Sequence, residues 1–175
     1  MDSRENGNDR GGYDTIIIMR IISIDPGYER MGLAIMDKNS SKEELVYSEC
    51  FKTSPKIPHC ERLKLIGEEI RKNIEKFKPE AMAIETLFFK TNQKTAMHVS
   101  EARGVMLYEA SINSLPVVEF TPLQIKVAVT GYGKSEKDQV IAMVKRLIKI
   151  NNEIKYDDEY DAIAAGLTYF ATGIR

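Results

Sequence analysis

Residues 20–32 read RIISIDPGYERMG, and the reading of Asp25 within them decides the fold. Ile21, Ile22 and Ile24 are β-branched residues that spell a strand buried on both faces. Asp25 falls where that strand runs out, and Pro26-Gly27 turns the chain at once. An acid at the end of a central strand is dehydrated on one side and open on the other. It calls for a hydrogen-bonding partner, a counter-charge or a metal ion. Taken alone, the position is equally well explained as a turn residue before Pro-Gly.

Working outward, Met31–Met36 reads as a second strand and Leu45–Phe51 as a third, joined by the polar stretch 38–44 into an antiparallel meander. From Glu61, the residues Leu63, Ile66, Ile70, Ile74 and Phe77 recur at three and four, the spacing of an amphipathic helix that Pro79 stops. Ala81–Ile84 is a short buried strand that ends, like the first, in an acid, Glu85. A helix over 95–112 carries two apolar faces: Val99, Ala102, Met106 and Ala110 on one, Met97, Val105, Tyr108 and Ile112 on the other. One face can pack on the sheet; the second belongs either inside the domain or in a dimer interface. Val117–Phe120 is a fifth strand, and Thr121-Pro122 caps a short helix to Val129. After GYGK (131–134), Ser135 with Asp138 starts a helix to Ile150. A last helix runs over 158–171. Strands first, then strands alternating with helices, describe a mixed α/β layer fold.

The size and composition agree. The chain has 175 residues, 43% hydrophobic and 29% charged, with 25 basic against 26 acidic side chains. That suits one globular domain, and it neither announces nor excludes a nucleic-acid partner, because an acidic cluster can hide a basic face in the sum. Cys50 and Cys60 are free of any CxxC spacing and fit a reducing cytoplasm, without a disulfide frame or a zinc site. No stretch approaches the ~20 apolar residues of a membrane helix. The first fourteen residues, MDSRENGNDRGGYD, are polar and Gly-rich; residues 1–18 read as a disordered leader, and the folded domain as 19–175, opening at Met19.

Three acidic sites carry the chemistry. Asp25 and Glu85 both end strands, and ligands in open α/β sheets bind beyond the carboxyl ends of strands. In YDDEYDAIAAG (156–166), Asp158 and Asp161 are three apart and so share a helix face. Each has an ordinary account: a turn, a lysine partner, or complementing a helix dipole. Their combination is harder to explain that way. Four clustered carboxylates repel one another unless a cation sits among them. Hard oxygen ligands suit Mg²⁺ or Mn²⁺, and two such ions about 4 Å apart can activate water and stabilise a leaving oxygen in phosphodiester hydrolysis.

Between Phe120 and Ile150 stand six basic residues, Lys126, Lys134, Lys137, Lys145, Arg146 and Lys149, against two acids. The excess would attract a polyanion. Lys145 and Lys149 read as a solvated helix face; Lys126 and Lys137, near helix starts, are better placed. Phe88 and Phe89 follow Glu85 in a polar loop where aromatics can stack on unpaired bases. His59 and His98 lack partner spacing and read as ordinary residues.

The motifs IDPG (24–27), AIE (83–85), EARGV (101–105), QIK (124–126), SEKDQV (135–140) and DEYDAIA (158–164), in this order and spacing, resemble the RuvC family of bacterial Holliday-junction resolvases. The resemblance spans Met19 to Phe170. It implies an RNase H-like mixed five-stranded sheet flanked by helices, and a homodimer that nicks opposed strands of a four-way DNA junction beside a RuvA–RuvB branch-migration complex. By motif, Asp25, Glu85, Asp158 and Asp161 match the metal-binding acids. Lys126 and Lys137 match basic residues that contact the scissile region, and Arg103 and Lys134 are further candidates for DNA contact. Phe88, followed here by Phe89 and Lys90, matches a junction-stacking aromatic, and the EARGV helix matches the dimer helix. Three alternatives stay open on the sequence. An actin-like ATPase needs two such lobes; an RNA-maturation nuclease would use the same acids on structured RNA; a non-catalytic junction binder would gain by losing them.

Overall fold

The computed structural model describes residues 19–40, 42–87 and 93–173. The expected leader, residues 1–18, and the stacking candidates Phe88 and Phe89 lie outside the described residues. The elements follow in the order β1 Met19–Asp25, β2 Arg30–Lys38, β3 Glu43–Lys52, α1 His59–Phe77, β4 Ala81–Glu85, α2 Gln93–Ile112, β5 Val117–Phe120, α3 Pro122–Thr130, α4 Lys137–Leu147 and α5 Asp157–Thr172.

The five strands form one sheet in the order β3-β2-β1-β4-β5. β1, β2 and β3 are the expected antiparallel meander, while β4 and β5 join β1 in parallel. β1 is therefore central, which is why Ile21, Ile22, Ser23 and Ile24 are all fully buried. Arg20 can interrupt this apolar run because Asp37 stands opposite it in register and accepts from both Nε and Nη2, at 2.6 and 2.7 Å.

Strand side chains alternate between faces, and the two faces hold separate cores. Ile22, Ile24, Leu33, Ile35, Met82 and Ile84 meet Ile66, Ile70 and Ile74 of α1 and Ala102, Met106 and Ala110 of α2. On the other face Ile21, Ala34, Met36, Ala81 and Ala83 meet α3, α4 and α5. α5 is buried along Tyr160 and Ala162 to Phe170 and lies across β2 and β1. Two glycines let it come close. A Cβ on Gly32 would sit 1.9 Å from the Asp158 carbonyl oxygen, and one on Gly166 would sit 2.3 Å from Met36 Sδ.

Two expectations shift. The capping residue of α4 is Glu136, whose N–H donates to Gln139 Oε1 at 2.8 Å, not Ser135. Ser135 is buried instead, its hydroxyl paired with Thr130 Oγ1 and donating to the Tyr132 carbonyl, both at 2.7 Å. Engaged in that turn, it is not available to cap. The same helix ends at Leu147 rather than Ile150, where Ile148 turns extended and buries its side chain. In α2 the first apolar face is in the core, but Met97, Tyr108 and Ile112 of the second remain exposed. Val105 alone is partly covered, against Gly67 of α1.

Candidate active site

The site is built by register. Ile24 of β1 pairs with Ile84 of β4 in parallel, so Asp25 and Glu85 are the next residues on neighbouring strands, at the same carboxyl edge. Parity then fixes the direction of both side chains. Ile21 and Ser23 on β1, and Ala81 and Ala83 on β4, face α5, and the two acids continue those rows. Asp158 and Asp161 stand in the first turns of α5, which Gly32, the register partner of Asp25, admits against the sheet. All four acids expected from the sequence thus meet on one face at one end of the sheet. Gly27 keeps the turn after β1 tight: a Cβ there would lie 1.6 Å from the Arg30 carbonyl oxygen.

Their electrostatics are those of an under-neutralised cluster. Burial pushes the Asp25 carboxyl well above the usual carboxylate range; Glu85, Asp161 and Asp158 push it further, and Lys137 opposes them. Burial and then Asp161 lift Glu85 to about 7, against Lys137 and Lys126. Burial also raises Asp161, against its hydrogen bond from Lys137. Thr86, next to Glu85, has a buried hydroxyl with no hydrogen-bond partner among the described residues. An all-oxygen donor set whose members raise one another's pKa fits a hard divalent cation.

Of the expected basic residues, Lys137 is the one in contact. Its Nζ lies 2.5 Å from Asp157 Oδ2 and 2.9 Å from Asp161 Oδ2. Burial pulls this lysine's pKa down, but the two aspartates outweigh it and hold it firmly charged. Lys126 is near enough to act on Glu85. Lys134 is exposed between α3 and α4 and forms no ion pair among the described residues. Arg103 is committed within the fold: it pairs with Glu119, and its Nε donates to the Glu85 carbonyl at 3.2 Å. It braces the strand end that carries Glu85.

Sequence reasoning missed Arg30 and Asp157. Arg30 Nε lies 3.4 Å from Asp158 Oδ2, and Asp157 is the second anchor of Lys137. Arg30 sits five residues beyond Asp25 in a strand whose position against α5 only the fold reveals. Gly32 was visible in the opening stretch, but its use as a helix seat was not.

This sheet order with acids at its carboxyl edge defines an RNase H-like nuclease fold. Residues 21–169 match the family described as crossover junction endodeoxyribonuclease RuvC, and the chain belongs to that family. It is 41% identical over 151 residues to the RuvC of Fusobacterium nucleatum, covering 86% of this chain and 80% of that one. To the RuvC of Thermosipho melanesiensis it is 42% identical over 146 residues, covering 83% and 93%. Among solved structures, Thermus thermophilus RuvC in complex with Holliday junction substrate superposes with a TM-score of 0.81 at 33% identity, covering 89% of this chain and 96% of that one. The yeast mitochondrial Holliday junction resolvase, at 16% identity and a TM-score of 0.65, shares the fold.

Proposed function

We propose that this chain is a structure-selective endonuclease that resolves four-way DNA junctions by paired, symmetric nicks, with Asp25, Glu85, Asp158 and Asp161 as its metal-binding catalytic acids. The observation that carries the reading is the convergence of these carboxylates from two strand ends and one helix start, with Lys137 anchored among them. Family membership gives the substrate, since the Thermus relative is described in complex with a Holliday junction.

The four acids would hold Mg²⁺ or Mn²⁺, two ions per site. When bound, such ions polarise the phosphodiester and lower the pKa of water toward a usable nucleophile. The residues of the chain do the rest. Asp25, fixed by its central strand, and Glu85, braced by Arg103, hold the cation donors at the sheet edge. Asp158 and Asp161 close the site from α5. Lys137, beside Asp161, and Lys126, beside Glu85, offset negative charge on the scissile phosphate. Hydrolysis leaves 5′-phosphate and 3′-hydroxyl ends that a ligase can seal. Phe88 and Phe89 stack on unpaired bases at the opened centre, and Lys134 meets backbone phosphate. The exposed Met97, Tyr108 and Ile112 on α2 fit an interface between two copies, which would set two sites against opposed strands. RuvA and RuvB are the partners this reading implies.

The deciding experiment is incubation of the full chain with a synthetic four-way DNA junction, duplex DNA and a structured RNA, each with Mg²⁺ or with EDTA. Paired symmetric nicks confined to the junction and dependent on metal are expected. Cleavage of the RNA instead would move the chain to RNA maturation, and tight binding without nicks in any junction sequence would leave a binder.

A further inference from the structure

His59, His98 and Glu101 lie on two helices, apart from the acid cluster, and among the described residues they are the one group of three candidate ligands whose atoms all fall within 4.8 Å of one another. We infer that they form a second metal site, selective for a borderline transition-metal ion of the zinc type rather than for Mg²⁺.

The geometry converges on one carboxylate oxygen. His59 Nε2 lies 2.9 Å and His98 Nδ1 3.2 Å from Glu101 Oε2. Bonds of the length zinc makes to nitrogen and oxygen set tetrahedral ligand-to-ligand edges of about 3.3 Å, so small side-chain rotations would seat an ion. His98 and Glu101 are three apart on α2 and share a face; His59 is the first residue of α1. Helix packing fixes the gap between them. α1 and α2 run side by side in the same direction, Gly67 against Val105 and Arg71 Nη2 2.6 Å from Glu109 Oε1.

The surroundings also orient the first ligand. The Tyr28 hydroxyl is 2.7 Å from His59 Nδ1, so that nitrogen can carry the proton and donate to Tyr28, leaving Nε2 free as a donor to metal. Metal-binding histidines are commonly held through their other ring nitrogen in this way. The Tyr28 ring stacks on His98 with centroids 4.9 Å apart, and Arg62 lies over its other surroundings with its guanidinium 3.7 Å from the ring centre. The three ligands are a third to nearly half exposed, so an ion and a water can enter from solvent. Two imidazoles with one carboxylate select zinc, cobalt or nickel; Mg²⁺ demands more oxygens in an octahedron. No sequence spacing hints at this site, because His59 stands far from His98 along the chain.

The test uses the full chain in a Cys60→Ser background, stripped of metal and held in excess Mg²⁺ so that the acid cluster is occupied. Zn²⁺ binding is followed by calorimetry and Co²⁺ binding by visible absorption. One ion per chain is expected, with the Co²⁺ bands of a tetrahedral site. His98→Ala and His59→Ala should each abolish binding, Tyr28→Phe should weaken it by roughly tenfold, and Asp25→Asn should leave it intact. Circular dichroism confirms that each variant is folded, and the partly exposed His98 supplies the variant of least structural consequence. No saturable binding, binding unchanged in a folded His98→Ala protein, or binding lost in Asp25→Asn would each overturn the inference.

Discussion

Toward α1 and α2 the central strands present Ile22, Ile24, Leu33, Ile35, Met82 and Ile84; toward α5 the same strands present mostly small residues, Ser23, Gly32, Ala34, Ala81 and Ala83, with Ile21 and Met36 among them. The first face is bulky and holds its helices at ordinary side-chain distance. The second is small enough for a helix to lie nearly on the backbone, and α5 answers with Ala162, Ala165 and Gly166. The difference shows how acids from a sheet and a helix come to share one site. Proximity is set by the side chains that are missing as much as by those present.

The largest effect should come from the site itself. Asp25→Asn keeps the shape but removes a charge and a donor, so junction cleavage should fall by orders of magnitude while junction binding persists. Single-turnover cleavage beside a gel-shift assay checks this, and full activity would sink the assignment of Asp25. Next, Gly32→Ala places a methyl 1.9 Å from the Asp158 carbonyl oxygen. α5 must then withdraw, costing about 2–3 kcal/mol of stability and much of the cleavage rate. Its counterpart on the bulky face, Ile35→Val, should cost about 1 kcal/mol and leave cleavage alone. Denaturant melts and cleavage assays on the pair test whether closeness is confined to one face.

Smaller shifts sharpen the electrostatic side. Lys137→Met removes the cation that opposes the raised pKa values of Asp25, Glu85 and Asp161. The rising limb of the rate–pH profile should move to higher pH, and more Mg²⁺ should be needed. The smallest effect is on metal-free stability. With its carboxyl lifted to about 7, folded Glu85 keeps a proton that the unfolded chain has already released. Stability from this group is thus full below the ordinary glutamate range and is lost as pH rises toward about 7. Urea melts across that window should show the decline, flattened in Glu85→Gln and offset by Mg²⁺.

Much of this was legible in the sequence, for identifiable reasons. The Ile run and its terminal Asp25, the repeat of that pattern at Glu85, and the i,i+3 pair Asp158–Asp161 rest on local periodicity, which a sequence displays directly. So does the second apolar face of α2. What escaped reading depends on distance between segments remote in the chain. Arg103 carries a charge suited to DNA, yet its guanidinium is occupied by Glu119 and the Glu85 backbone. Ser135 looks like a cap until its turn partners are seen. His59 and His98 have no mutual spacing to notice, and their meeting follows from the parallel packing of two helices.

The burial of α5 has a consequence for how the protein is made. Among the described residues every strand is synthesised before this helix, yet ten of its residues fill the core and two of the four acids ride on it. A nascent chain that still lacks α5 holds Asp25 and Glu85 without their companions and leaves one face of the sheet without its main cover over β1 and β2. Synthesis of α5 therefore completes the proposed acid cluster and supplies the cover of that face in the same step. A chain stalled before α5 lacks Asp158, Asp161 and the ten residues that α5 buries in the core.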